Sequence, residues 1–317
     1  MNIYRSLQDI HNMPGTAVAL GNFDGVHKGH QMLIRECVAA AKEKGLQPSV
    51  FTFPNHPVNE IAGRVVIKNI MTFEEKAEQL ELLGVENLFA PVFDDAIRTK
   101  SAKAFVEDIL IDCFHTKHAV CGFNYHFGYK AEGDADRLQE LGKELGYGVT
   151  VVPEIRINGN TVSSTLIRQV IDEGRIDEYT DYTGRLYCID GKVVQGRHLG
   201  RRIGFPTVNL SLDSSEAFPM NGVYITLTTV NDKKYHSITN VGNKPTVGEF
   251  AKNAETHIFS FSGDLYGRDV RIEFIKMLRP ERKFDNLEDL QQEIHRNCLQ
   301  AEEFFKTYQE VPYNEVR

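Results

Sequence analysis

A chain of 317 residues is long for one domain, and its length favours two. Its 36 basic and 44 acidic side chains leave a net charge of −8, which repels a polynucleotide backbone and disfavours a nucleic-acid partner. Cysteines at 37, 113, 121, 188 and 298 form no Cys-x-x-Cys pair, which argues against a disulfide framework or zinc ribbon and for reduced thiols in the cytoplasm. No apolar run nears the roughly 18 residues of a membrane span, Met1 to His11 lack the apolar core of a signal peptide, and no internal repeat is present. Oligomeric state is not legible.

In chain order, Ala17-Val18-Ala19-Leu20 reads as a short buried strand, and Gln31 to Lys44 carries Leu33, Cys37 and Ala41 at helical spacing. Between them runs Gly21-Asn22-Phe23-Asp24-Gly25-Val26-His27-Lys28-Gly29-His30. Its glycines permit a sharp turn and close approach of a ligand, and the helix start offers N–H groups and a positive dipole end to an anion. With the helix beginning near His27, the Cβ atoms of His27 and His30 lie roughly 5–6 Å apart, within reach of one phosphate. A solvated histidine pair or half a zinc site is the alternative for His-x-x-His alone; the ten-residue block favours phosphate.

Pro48 to Phe53, Asn87 to Phe93, His118 to Phe123 and Gly148 to Ile155 read as further strands. Between them Thr72-Phe73-Glu74-Glu75 has the form of a capping box ahead of Lys76 to Leu83, and Ser101 is an N-cap for Ala102 to Phe114. This rhythm predicts a parallel sheet with helices on both faces and ligands at the carboxyl ends of its strands. Gly122-Phe123-Asn124-Tyr125-His126-Phe127-Gly128 follows a strand, and its three rings fit a stacking platform or a core-anchored loop equally well. In Val162-Ser163-Ser164-Thr165-Leu166-Ile167-Arg168 the hydroxyls can cap a helix or bind phosphate. The acidic stretch Asp172 to Asp181 ends the first part, which holds 18 basic and 26 acidic residues up to 182 against 18 of each after it. The domains are thus expected at 1–182 and 183–317.

From residue 183 β-type segments follow one another: Arg185 to Ile189 and Lys192 to Val194 as a hairpin around Asp190-Gly191, then Val223 to Val230, Tyr235 to Val241, Glu255 to Phe261 and Val270 to Met277. A helix over Phe284 to Tyr308, striped by Leu287, Leu290, Ile294, Cys298 and Phe305, completes a small antiparallel barrel. Gly196, Gly200 and Gly204, interleaved with Arg197, His198, Arg201 and Arg202, make a basic loop suited to phosphate, or simply a solvated one. In the extended Phe205-Pro206-Thr207-Val208-Asn209, Thr207 and Asn209 project to one side as oxygen ligands suited to Mg²⁺. Alternation puts Glu255 and His257 on the face of Phe259 and Phe261, where a carboxylate serves as a general base or sits at a rim.

The 21–30 block resembles the Gly-x-Phe-Asp-Gly-x-His-x-Gly-His signature of the nucleotidyltransferase half of bacterial bifunctional riboflavin kinase/FAD synthetases, and the likeness extends over essentially the whole chain. It implies an α/β nucleotidyltransferase domain with a Rossmann-like parallel sheet, followed by a small antiparallel β-barrel kinase domain with a C-terminal helix. The activities implied are phosphorylation of riboflavin to FMN and adenylyl transfer from ATP to FMN, giving FAD and pyrophosphate, both with Mg²⁺. Ser164, Thr165 and Arg168 match a Ser-Ser-Thr-x-Ile-Arg motif that binds the triphosphate, alongside Gly21, Phe23, Asp24 and Gly25; His27 and His30 act on the α-phosphate. Phe123, Asn124, Tyr125, Phe127 and His56 match flavin-site segments, with Asn124 for a customary Asp and Asn55 in a segment lacking its usual carboxylate. Phe205 to Asn209 is similar to the kinase motif Gly-Phe-Pro-Thr-Ala-Asn, whose Thr and Asn bind Mg·ATP, and Glu255 matches the base acting on the ribityl 5′-hydroxyl. The two departures set the alternatives: a kinase with weak or altered adenylyltransferase activity, or a non-catalytic flavin-binding paralogue.

Overall fold

The computed structural model describes residues 1–196, 200, 203–245 and 250–309. The chain forms two compact units that divide between Ser164 and Thr165. The first holds strands β1 (Asn2–Tyr4), β2 (Thr16–Leu20), β3 (Gln47–Phe51), β4 (Asn87–Phe89), β5 (Thr116–Gly122) and β6 (Gly148–Val152). They lie in the order β1-β4-β3-β2-β5-β6, every pair parallel. Alternation within β2 explains the unbroken apolar run Ala17–Leu20 that follows Thr16. Ala17 and Ala19 pack with Leu33, Ile34 and Cys37 on one side, and Val18 and Leu20 with Phe105, Ile109 and Leu138 on the other, so both faces are covered. The small alanines let helix α1 (Lys28–Lys44) lie close, and the Cys37 thiol donates to the Ala17 carbonyl at 3.2 Å.

Helix α2 (Pro57–Ala62) follows β3, and α3 (Phe73–Leu82) begins at the expected capping box, where the Glu75 N–H donates to Thr72 Oγ1 at 3.1 Å and the Thr72 N–H to Glu75 Oε2 at 2.7 Å. Ser101 caps α4, which starts as Ala102–Ala104 and widens into a π-helix over Phe105–Cys113, closed by the Phe114 N–H on the Ile109 carbonyl at 2.9 Å. Helix α5 (Ala135–Leu145) precedes β6. The order of strands reverses between β2 and β5, so the loops after these two strands flank the switch point where such sheets bind ligands.

In the second unit, helices α6 (Ser164–Asp172, begun by the last residue of the first unit) and α7 (Ile176–Thr183) lead into a closed barrel. Its strands are β7 (Tyr187–Val194), β8 (Val208–Ser211), β9 (Gly222–Val230), β10 (Lys233–Pro245), β11 (Phe250–Ile258) and β12 (Asp269–Pro280), ordered β7-β8-β11-β10-β9-β12 with antiparallel neighbours. The Asp190-Gly191 hairpin does not form. Both residues lie within the continuous β7, paired with Arg271 and Val270, and the Asp190 carboxylate binds Arg271 across the ladder at 2.7 Å. Thr226, Thr228, Ser237, Thr239 and Thr256 have no exposed surface and join hydroxyl to hydroxyl at 2.8–2.9 Å, cross-linking β9, β10 and β11. On the opposite face Val223, Ile225 and Ile238 pack against Cys298, Ala301 and Phe305 of helix α8 (Leu287–Phe305). Leu287 of the expected stripe is 48% exposed.

Candidate active sites

The turn after β2 holds three residues in the left-handed region, Phe23 at φ +50°, Gly25 at +82° and Val26 at +32°. Such backbone is costly outside glycine, and its neighbours hold it: Phe23 is wholly buried, Asp24 Oδ1 accepts the Ile70 N–H at 2.9 Å, and the Ser164 hydroxyl donates to the Asp24 carbonyl at 2.8 Å. His27 is the N-cap of α1, its Nδ1 accepting the His30 N–H at 3.2 Å. A neutral ring accepting at Nδ1 carries its proton on Nε2, the donor a phosphate oxygen needs. The His27 and His30 rings stack at 3.6 Å, and Phe23 meets His30 edge-on at 5.2 Å. Gly21 follows β2 directly, and Cβ of a larger residue there would press on the Phe23 ring at 3.1 Å.

Gly122 ends β5 beside this turn, Leu20 being paired with Cys121. Of the three rings that follow, Phe127 is buried against Phe105, Tyr125 stacks on Phe127, and Phe123 is 49% exposed, while Asn124 is exposed. Burial pushes the Tyr125 phenol upward. The segment therefore combines both sequence readings, two rings anchoring the loop and one open to stacking. His56 is the N-cap of α2, its Nδ1 accepting the Val58 N–H at 3.3 Å, and the Asn55 amide donates to Glu60. Thr165 and Arg168 lie on α6, assigned to the second unit. Sequence reasoning missed Lys76, whose Nζ donates to the carbonyls of Asn22 at 3.0 Å and Phe53 at 3.1 Å.

In the barrel, antiparallel pairing sets Asn209, Glu255 and Asn240 in one cross-strand row over β8, β11 and β10. Glu255 Oε1 accepts from Asn253 Nδ2 at 3.1 Å. Asn209 Oδ1 is buried and has no hydrogen-bond partner among the described residues, an acceptor suited to a ligand. The His257 ring donates from Nδ1 to the Pro206 carbonyl at 2.8 Å, tying the strand of Glu255 to the segment of Thr207. Gly204 turns at φ +85°, whereas Gly196 and Gly200 are needed for space: a Cβ would overlap the Asn209 amide at the first and the Phe205 carbonyl at the second. Arg197, His198, Arg201 and Arg202 lie outside the described residues.

A cavity of about 250 Å³ opens beside this row, with Thr207, Glu255, His257 and Asn240 on its polar wall and Phe205, Val223, Ile238, Phe284 and Ile294 on its apolar one. Arg279 also lines it, held by Asn297 Oδ1 at 3.0 Å and by Glu293, a buried carboxylate that binds Arg282 too at 3.0 Å. Burial lowers the Arg279 guanidinium and the Glu293 charge opposes that shift. Asn240, Asn253, Arg279 and Glu293 carry no sequence signal of their own. Cross-strand register and the docking of α8 bring them to the site. Thr207 Oγ1 and Asn209 Oδ1, the latter without a partner among the described residues, are oxygen ligands that fit a hard cation such as Mg²⁺.

Comparison with known proteins matches residues 9–166 to the FAD synthetase family and 183–305 to the riboflavin kinase family. The chain is 34% identical to the bifunctional riboflavin kinase/FMN adenylyltransferase of Bacillus subtilis, over 92% of each chain. It is 31% identical to the Escherichia coli K12 protein of the same name, over 96% of this chain and 98% of that one. Among solved structures it superposes, at TM-score 0.85 and 30% identity, on one titled a macrolide-efflux protein from Streptococcus pneumoniae, covering 97% of this chain and 99% of that one.

Proposed function

The chain belongs to the family of bifunctional riboflavin kinases/FMN adenylyltransferases, and we propose that its two activities run through the two sites just described. It is a transferase that phosphorylates riboflavin to FMN and adenylylates FMN to FAD. The catalytic division in this reading lies at 1–182 and 183–317; the second family match, which begins at 183, supports it. The row of Asn209, Glu255 and Asn240 at the cavity carries the kinase reading.

In the kinase half Glu255 takes the proton of the ribityl 5′-hydroxyl as that oxygen attacks the γ-phosphorus of ATP; the γ-P–O bond to the β-phosphate breaks and ADP leaves. Asn253 holds the carboxylate from one side. Thr207 and Asn209 would hold Mg²⁺, which when bound neutralises phosphate charge. Gly196, Arg197, Gly200 and Gly204 form the nucleotide loop. In the adenylyltransferase half a phosphate oxygen of FMN attacks the α-phosphorus of ATP, and the bond to the leaving pyrophosphate breaks. His27 and His30, with the N-terminal N–H groups of α1, meet charge on the α-phosphate. Gly21, Phe23, Asp24 and Gly25 shape the turn, Ser164, Thr165 and Arg168 bind the polyphosphate, and Phe123 and Asn124 face the flavin on a loop anchored by Tyr125 and Phe127, with His56 contributed by the separate 52–57 segment.

Flavins and ATP are the small-molecule substrates. Among the described residues no helix is long and apolar enough to cross a membrane, so the efflux title borne by the similar structure finds no spanning helix here. The free cysteines fit a reducing cytoplasm, and burial pushes the thiols of Cys37 and Cys121 up to about 12. Purified protein given riboflavin and Mg·ATP, with flavins resolved by chromatography, should form FMN and then FAD. Absence of FMN would defeat the kinase assignment; FMN that is never converted, even when supplied, would defeat the other.

A further inference from the structure

Lys76 is a buried cation to which neither reaction step gives a role. It lies on α3, 4% exposed, and its ammonium bridges two backbone carbonyls, Asn22 at 3.0 Å and Phe53 at 3.1 Å. Each carbonyl stands two residues beyond the end of a central strand, β2 or β3, where the chain enters a loop of the candidate site. The Thr52 hydroxyl donates to the same Asn22 carbonyl at 2.8 Å, so the two strand ends are joined through one oxygen. Immediately after Asn22 comes the run of left-handed residues that leads to His27. Backbone in that region persists only where its surroundings over-determine it, and a charge-assisted bridge is a stronger tie than a neutral one. A methionine would fill similar volume with no charge to bury, so packing alone does not call for lysine here.

We propose that Lys76 is a positioning residue for adenylyl transfer: its charged amine clamps the ends of β2 and β3 and thereby holds the Phe23–Val26 turn, and His27 behind it, in the geometry that receives the triphosphate. This rests on the assignment of the 21–30 turn to ATP. Around the ammonium, Asp24 on the turn supplies the opposite charge, the β3 end supplies carbonyl and hydroxyl groups, and Glu75 on α3 is engaged with Thr72. Burial draws Lys76 down to about 8 while Asp24 opposes the shift, so the clamp weakens as pH rises through that value.

The test uses full-length protein and assays FMN to FAD and riboflavin to FMN on the same preparations. Lys76→Met should lower kcat/KM for FMN adenylylation by about ten- to a hundred-fold, the effect of losing a charged hydrogen-bond donor, and leave the kinase rate unchanged. Wild-type adenylylation should decline as pH rises through about 8, and Lys76→Met should lack that limb. If Lys76→Met also loses kinase activity through misfolding, Lys76→Arg decides, because arginine keeps its charge: its adenylylation should show no decline near pH 8. Wild-type-like adenylylation by Lys76→Met, or a decline near pH 8 that persists in Lys76→Arg, overturns the proposal. His30→Ala is the control for the underlying assignment. If it leaves FAD formation intact, the turn is not the ATP site; if it abolishes FAD formation and Lys76→Met does not, the lysine role alone is wrong.

Discussion

Glu255 faces Asn209 across paired strands and is held by Asn253, so the proposed kinase assignment concentrates on a few side chains whose removal should have distinct signatures. Glu255→Gln keeps the shape and removes the base; riboflavin phosphorylation should fall about 10²- to 10⁴-fold while supplied FMN is still converted to FAD. Asn253→Ala should cost about ten-fold in kcat for the kinase with KM for riboflavin little moved, because it loosens the carboxylate and not the cavity. Lys76 supplies a stability test with a definite sign. Between its folded value of about 8 and its ordinary 10.5, the unfolded chain binds more protons, so the fold gains stability as pH rises through that window. Urea unfolding followed by circular dichroism should show wild type gaining about 3 kcal/mol on Lys76→Met from one end of the window to the other. Alternation in the sequence set Glu255 on one face with His257, and both line the cavity. Lys76 was not legible there: it stands beside Glu74 and Glu75 in the first turn of a helix, and only the packing of α3 over two strand ends shows where its amine goes.

Local signals were read most faithfully where side chain and backbone answer each other within one turn. The Thr72 and Glu75 capping box, the Ser101 cap and the α1 start at His27 are all of this kind, their hydrogen bonds spanning three residues. Asp190-Gly191 misled because a hairpin signal is only a local preference; within β7 the long partner β12 pairs straight through both residues, and the Asp190 to Arg271 ion pair fits that ladder. The edge strand β1 is three residues long, too short for a periodicity to show. In the glycine loop the recurrence at intervals of four was visible, but its cause was not. Gly196 is required because the Asn209 amide occupies the space a Cβ would take. Gly196→Ala should displace that amide and reduce the kinase rate by about 10²-fold, the scale of a misplacement near 1 Å, with FMN adenylylation in the same protein as the unaffected reference.

Across the whole chain, the change from alternating strands and helices to successive strands marked two folds, and the acidic excess of the first part fell where that change begins. The compact units divide earlier, at Ser164/Thr165, and α6 and α7 are tied to the barrel by the Met220 N–H on the Ile171 carbonyl at 3.3 Å and by Tyr179 edge-on to Tyr187 at 5.5 Å. Two activities on one chain share an intermediate, FMN, which is a soluble small molecule made by one site and consumed by the other. If each site is complete in its own residues, a protein lacking only the kinase base and a protein lacking only the adenylyltransferase histidine should together do what neither does alone. Mixing Glu255→Gln with His30→Ala in the presence of riboflavin and Mg·ATP should therefore yield FAD, after a lag while free FMN accumulates, and a chelator of divalent cations should stop it. Chromatography of the mixture against each variant by itself makes the measurement. If the mixture forms FMN without FAD, the adenylyltransferase site needs something that Glu255→Gln removes, and the assignment of one self-sufficient site to each half is wrong.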